Sequence, residues 1–211
     1  MLGGVEWIVD TVEEAASLDQ DRVSVALDPS GLALALADGA GGTSGGRDAA
    51  ELVVADATTD HPAAPDARLR ALDATLARTA GGQTTAIIAR LAPDATVVGA
   101  SVGDGEAWCA RGDRWRELTA DQHRKPLLGS GRAVPVVFTA ASIDALFIAS
   151  DGLVKYASSS EVQAILAADE PELPRQLADA ARLPSGALHD DLAIVSVRRS
   201  RGRRSRVRRR S

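Results

Sequence analysis

The sequence predicts an α+β domain whose sheets are largely antiparallel and whose helices are grouped outside them. Three observations carry this. Strand-like runs are joined by hairpin-length turns such as Asp28-Pro29-Ser30-Gly31 and Asp104-Gly105. Helical segments come in two pairs instead of alternating singly with strands. The apolar fraction is 45%, mainly Ala, Val and Leu, with only three Trp, two Phe and one Tyr. Such a core of small and β-branched groups suits strands and closely packed helices.

In chain order, Val23 to Leu27 and Leu32 to Leu36 alternate between apolar and small or polar positions and form a hairpin. The second strand ends in the glycine-rich Asp38-Gly39-Ala40-Gly41-Gly42. A helix is expected over Arg47 to Ala57, where Ala50, Val53, Val54 and Ala57 fall at helical spacing. Pro65 opens a second helix with a Leu69, Leu72 and Leu76 stripe and a stop at Gly81. Three strands follow, Thr85 to Leu91, Thr96 to Val102 and Glu106 to Arg111. Residues 119 to 135 read as irregular. The apolar run Ala145 to Ala149 leads into Ser150-Asp151-Gly152, helices are expected over Ser160 to Ala168 and Pro174 to Arg182, and the last strand is Leu192 to Val197. No internal repeat is visible.

Charge divides the chain in two. Residues 198–211 hold nine arginines and no acid, so a net charge of −5 overall leaves −14 for residues 1–197. The expectation is a folded domain over 1–197 and a disordered arginine-rich tail over 198–211, since the tail has no apolar face to bury. Its charge suits non-specific contact with an acidic partner, nucleic acid or an anionic membrane, and it lacks the aromatic residues that stack on bases. No apolar run reaches the length of a membrane span, Met1 to Ala16 has acids and no base, and there is a single cysteine. These features lead to the expectation of a cytoplasmic protein with no transmembrane segment.

Four acids, Asp21, Asp38, Asp151 and Asp190, stand at strand ends. Carboxylates converging there suit hard cations such as Mg²⁺ and Mn²⁺. Two such ions about 4 Å apart can activate water and polarise a phosphoryl group. A glycine beside a ligand, here Gly39, lets its carbonyl approach a metal.

The same residues resemble the type 2C metal-dependent protein phosphatases, the PPM family, over most of residues 15–197. Asp19-Gln20-Asp21-Arg22-Val23 is similar to its first acidic motif, and Asp38-Gly39-Ala40-Gly41-Gly42 to its Asp-Gly-x-Gly-Gly motif. Gly82-Gln83-Thr84-Thr85-Ala86 resembles the Gly-x-Thr segment, and Val102-Gly103-Asp104-Gly105 a structural Val-Gly-Asp-Ser turn. Asp144 to Val154 resembles the run ending Ser-Asp-Gly-Leu, and Asp190-Asp191-Leu192-Ala193-Ile194 the closing Asp-Asp-Ile motif. The resemblance implies a short, divergent bacterial-like form with two antiparallel sheets packed as a sandwich and flanked by helices, an αββα four-layer fold. It implies a hydrolase that removes phosphate from serine or threonine of proteins through a two-metal-activated water. In that reading Asp38 bridges two Mn²⁺ or Mg²⁺ ions, the Gly39 carbonyl binds one, Asp151 and Asp190 complete the other, and Asp21 orients the water. The partner is then a phosphorylated protein, the substrate of a cognate Ser/Thr kinase.

Two positions depart from the family pattern. Ala16 stands where an arginine usually contacts the substrate phosphate, leaving Arg22 or Arg47 as substitute cations, and Ala40 replaces the usual His or Met. These losses leave open an alternative, a weak or inactive phosphatase-fold domain that binds phosphoproteins or regulates. Other motifs carry less. Gly99-Ala100-Ser101-Val102-Gly103 spells a hydrolase elbow but runs on into a strand, not a helix. Cys109 has Trp115 where a thiol phosphatase has arginine, so a buried thiol is expected. His61, His123 and His189 lack zinc spacing, although His189 adjoins Asp190. Gly41 to Gly46 lacks the Gly-Lys-Ser/Thr ending of a nucleotide loop.

Overall fold

The computed structural model describes residues 6–40, 44–59, 63–79, 81–168 and 172–200. Gly41 and Gly42 of the second acidic motif, His61 and the tail beyond Ser200 lie outside these residues.

The strands are β1 (Trp7–Glu14), β2 (Asp21–Asp28), β3 (Gly31–Ala40), β4 (Gln83–Thr84), β5 (Ala86–Leu91), β6 (Val97–Val102), β7 (Glu106–Arg111), β8 (Arg114–Glu117), β9 (Val136–Ala140), β10 (Ala145–Ala149) and β11 (Leu192–Arg199). The helices are α1 (Ser44–Ala57), α2 (Pro65–Arg78), α3 (Asp151–Val154), α4 (Ser159–Ala168) and α5 (Leu173–Ala180). One sheet has the order β1-β11-β10-β7-β8 and the other β2-β3-β5-β6-β9, with β4 added at the end of β3. Every pairing between these strands is antiparallel.

Side-chain alternation assigns each strand face to a layer. Leu32, Leu34 and Leu36 of β3 meet Ile87, Leu146, Ile148, Val195 and Val197 between the sheets. The intervening Ala35 and Ala37 point to the other side, against Ala49, Ala50 and Val53 of α1 and Leu69, Leu72 and Leu76 of α2. Alanine on both surfaces lets α1 lie close upon β3. On the opposite outer face, Phe147 and Ala149 of β10 and Leu192 and Ile194 of β11 pack on Leu153, Leu166, Leu173 and Leu177 of α3 to α5. The result is the four-layer αββα sandwich expected from the resemblance.

The hairpin, the two helix pairs and the central strands stand where the sequence puts them, with ends moved by a few residues. Four strands were not legible: β1, β4, β8 and β9. β4 is only two residues long, and the other three lie at sheet edges. In β1 and β8 charged residues break the apolar signal, as in Arg114-Trp115-Arg116-Glu117, whereas β9, Val136 to Ala140, is mostly apolar and directly follows the irregular 119–135 segment. The irregular 119–135 segment is held by Asp73 of α2, whose carboxylate accepts backbone N–H bonds from Gly129, Gly131 and Ala133 at 2.8, 3.0 and 3.0 Å. At the far end, Arg198 and Arg199 belong to β11, and the Ser200 N–H donates to the Glu6 carbonyl at 2.8 Å.

Candidate metal centre

The β2–β3 register sets Asp21 directly opposite Asp38 at one end of the second sheet. Asp38 is fixed through its backbone: its N–H donates to Thr85 Oγ1 at 3.2 Å, and its carbonyl accepts from Thr84 Oγ1 and the Thr85 N–H, both at 2.8 Å. That is the structural use of the Gly82-Gln83-Thr84-Thr85 segment. Asp104 comes from the β6–β7 turn, and Asp151 opens α3 where β10 ends. Ligand oxygens of Asp38, Asp104 and Asp151 all lie within 4.8 Å of one another.

The structure thus brings Asp38 and Asp151 together as expected and places Asp21 beside them. It adds Asp104, which the sequence offered only as a turn signature. An Asp-Gly pair in a hairpin carries no sign of its side chain's direction, so nothing local to that turn reveals the role. Asp190 lies outside the close group, with its side chain exposed. It is still near enough for the Asp151 charge to act, after burial, in raising its pKa. Gly39 is buried and pairs with Thr84; a Cβ there would stand 2.5 Å from the Gly46 backbone, so only glycine fits.

The electrostatics are those of carboxylates packed without sufficient cation. Burial raises Asp38 to about 9, with further contributions from Asp21, Asp151 and Asp104. Burial likewise raises Asp21 to about 7, opposed by a hydrogen bond from Ser150 and reinforced by Asp191. The Ser150 hydroxyl is free to donate in this way because its oxygen already accepts the Ala193 N–H at 2.9 Å. Asp21 Oδ2 is buried with no hydrogen-bond partner among the described residues. An orphaned buried oxygen amid hard, mutually repelling donors fits divalent cations of the Mg²⁺ or Mn²⁺ type.

Among the described ion pairs, one cation reaches this group: Lys155, one turn along from Asp151, pairs with its carboxylate. The two arginines offered as substitutes are engaged elsewhere. Arg22 binds Asp19 and Glu51, and Arg47 binds Asp19 and the Leu18 carbonyl. At the arginine-less position, the Ala16 N–H donates to Asp191 at 2.8 Å. His189 stacks on Tyr156, with ring centroids 4.5 Å apart. Ser101 lies on β6, which turns into β7 with no helix after it, and Cys109 is a buried free thiol. Neither the serine elbow nor the thiol mechanism survives.

The profile of the family of stage II sporulation protein E (SpoIIE) matches residues 28–200. The chain belongs to the SpoIIE family. Its fold is that of the type 2C, or PPM, phosphatases. The structure of a serine/threonine phosphatase from S. agalactiae superimposes with a TM-score of 0.78 at 19% identity, covering 92% of this chain and 99% of that one. Stp1 from Staphylococcus aureus gives 0.76 at 17%, covering 94% and 97%. PstP/Ppp from Mycobacterium tuberculosis gives 0.71 at 19%, covering 91% and 98%. At such identities these likenesses speak for the fold alone. No curated protein matches the sequence significantly. As a SpoIIE-family chain, it carries its candidate metal cluster on the ends of β3 and β10 and in the β6–β7 turn, where the two sheets meet. No described helix is long and apolar enough to cross a membrane.

Proposed function

We propose that this SpoIIE-family chain is a metal-dependent phosphatase that hydrolyses phosphoserine or phosphothreonine on proteins. The observation that carries the reading is the convergence of Asp38, Asp104 and Asp151 within 4.8 Å, beside the unpartnered Asp21 Oδ2. Asp38, the Gly39 carbonyl, Asp151 and Asp190 would hold two Mn²⁺ or Mg²⁺ ions, with Asp104 a further carboxylate beside Asp38 and Asp151. Bound, such ions act as Lewis acids on phosphoryl oxygens and lower the pKa of water.

The chain's own groups do the rest. Asp21, steered by Ser150, orients the attacking water through its free oxygen. Thr84 and Thr85 keep Asp38 from following its charge outward. Lys155 takes the part of the missing arginine. The Lys155 ammonium, which pairs with Asp151 beside the cluster, would hold a phosphate oxygen there. A lysine offers a point charge where arginine would offer a fork, so the substrate is held less specifically. The partner is a phosphoprotein made by a Ser/Thr kinase, the setting is the cytoplasm, and the catalytic unit takes in all of β11, ending past residue 197 at Arg199.

A second reading follows from Ala16, whose N–H is bound by Asp191 and which has no side chain for phosphate. It is a phosphoprotein-binding or regulatory module without turnover. Purified protein given p-nitrophenyl phosphate and a phosphothreonine peptide, with Mn²⁺, Mg²⁺ or EDTA, separates the two. Metal-dependent hydrolysis that disappears in Asp38→Ala establishes the enzyme. Mn²⁺ binding with no turnover establishes the binding module.

A further inference from the structure

On the helix-facing side of the first sheet, a groove of about 590 Å³ runs between β7–β8 and α4. Strand alternation builds its floor. Glu106 and Trp108 share one face of β7; the register sets Glu117 opposite Trp108 and Trp115 opposite Ala110. Asp113, in the turn between β7 and β8, adds a third carboxylate, and among the described residues no Lys, Arg or His lines the groove. Both indoles are only partly covered by the helices. The Trp108 N–H donates to Glu106 at 2.8 Å, which holds that carboxylate beside the rings. Burial, then the neighbouring Glu106, raises the pKa of Glu117, as expected of acids that share a site without a cation. Carboxylates set among exposed indole faces match a guanidinium, which pairs with the first and stacks on the second.

A second cavity, about 340 Å³, continues this one. The two share Asp113, Trp115, Leu166 and Ala167, and the second is lined also by Arg198 and Arg199, the last residues of β11. There the chain leaves the sheet and enters residues 201–211, which carry seven arginines and no acid. Eleven residues reach at most about 36–40 Å. The six residues of β7, along which the groove lies, span about 20 Å.

We propose that the arginine-rich segment 201–211 docks in this groove, pairing with Glu106, Asp113 and Glu117 and stacking on Trp108 and Trp115. Charge complementarity, the exit of the chain at the groove's own continuation and sufficient reach argue for this occupant. Anionic partners of the tail then compete with the groove for it. Leu153 and Val154 of α3, the helix that Asp151 opens, also line the groove.

The test uses the full chain with Val207→Cys carrying a nitroxide; buried Cys109 does not compete for the label. Docking predicts loss of ¹⁵N signal intensity at the Trp108 and Trp115 indoles and at Val162, but not at Arg70 on the opposite outer layer. Glu106→Gln, Asp113→Asn and Glu117→Gln together restore the signals, and so does high salt on the otherwise unaltered labelled chain. Intensity lost only beside Ser200, or unchanged by both treatments, overturns the proposal. So does loss seen when ¹⁵N protein without label is mixed with labelled protein, which assigns the groove to a second copy.

Discussion

Asp21 faces Asp38 across the β2–β3 pair, and its Oδ2 is buried with no hydrogen-bond partner among the described residues. Two carboxyls in that position cannot both ionise cheaply without a cation, so the metal-free protein carries protons where the loaded one carries metal.

Stability of the metal-free protein therefore falls as pH rises. In the unfolded chain both groups ionise near 3.8, whereas in the fold they do so at about 7 and about 9. The native state binds more protons throughout that interval, so unfolding free energy decreases with pH, by up to about 1.4 kcal/mol per pH unit for each carboxyl held protonated. The contribution is fully present below pH 4 and lost through the two folded-state values. Thermal melts at pH 5, 7 and 9 in EDTA check the slope, and saturating Mn²⁺ should flatten it. A metal-free melting temperature that rises between pH 5 and 9 contradicts the pairing.

Removing a cluster carboxylate should abolish turnover while sparing the fold. Asp151→Asn keeps the shape of the side chain and loses its charge, and a fall in kcat of about 10²–10³ is the expected scale for a group that stabilises developing charge. Calorimetry should show weaker Mn²⁺ binding, with an unchanged far-UV spectrum. Asp104→Asn should also weaken Mn²⁺ binding, since its oxygens stand in the same group. Binding equal to wild type in Asp104→Asn would return that residue to a purely structural turn.

Lys155 is expected to act in opposite senses on metal and on substrate. It pairs with Asp151 and so competes with a cation for that carboxylate. Lys155→Ala should bind Mn²⁺ more tightly. The same variant should lose about ten- to a hundred-fold in kcat/KM, the scale of one charged hydrogen bond of about 1.5–3 kcal/mol. Lys155→Arg should recover much of the activity. Lower kcat/KM with weaker metal binding would make Lys155 a structural prop instead.

What the sequence showed depended on how local each signal was. Asp38, Asp151 and the apolar strands β3, β5, β10 and β11 were legible because each sits in a run whose pattern is set by its own burial. The edge strands β1 and β8 were hidden because charged residues interrupt their apolar pattern, and the short β9 because it follows directly on the irregular 119–135 segment. Asp73 was read as part of the Leu69–Leu72–Leu76 helix, yet its side chain caps a loop more than fifty residues on. Asp104 and Lys155 owe their places beside Asp38 and Asp151 to elements that meet only in three dimensions, so no spacing within either segment announces them.

Of the neighbouring aspartates just before β11, Asp191 supports the fold and Asp190 is the proposed ligand. Asp191 Oδ1 accepts the N–H groups of Ala16 and Ser17 at 2.8 and 3.2 Å, and Oδ2 that of Gln20 at 2.7 Å. It is buried, and it ties the segment before Asp21 to the other sheet. Asp191→Ala strands these donors, the Gln20 N–H in a buried setting, and should cost about 2–4 kcal/mol in chemical denaturation. Metal affinity should fall with it, because Asp21 loses its anchor. Asp190, just before Asp191 and exposed, accepts one local hydrogen bond, from the Asp191 N–H at 3.0 Å. Asp190→Ala should change stability by no more than about 0.5 kcal/mol while weakening Mn²⁺ binding. If the denaturation midpoint moves for Asp190→Ala and not for Asp191→Ala, the two residues have exchanged roles and the ligand set shifts by one position.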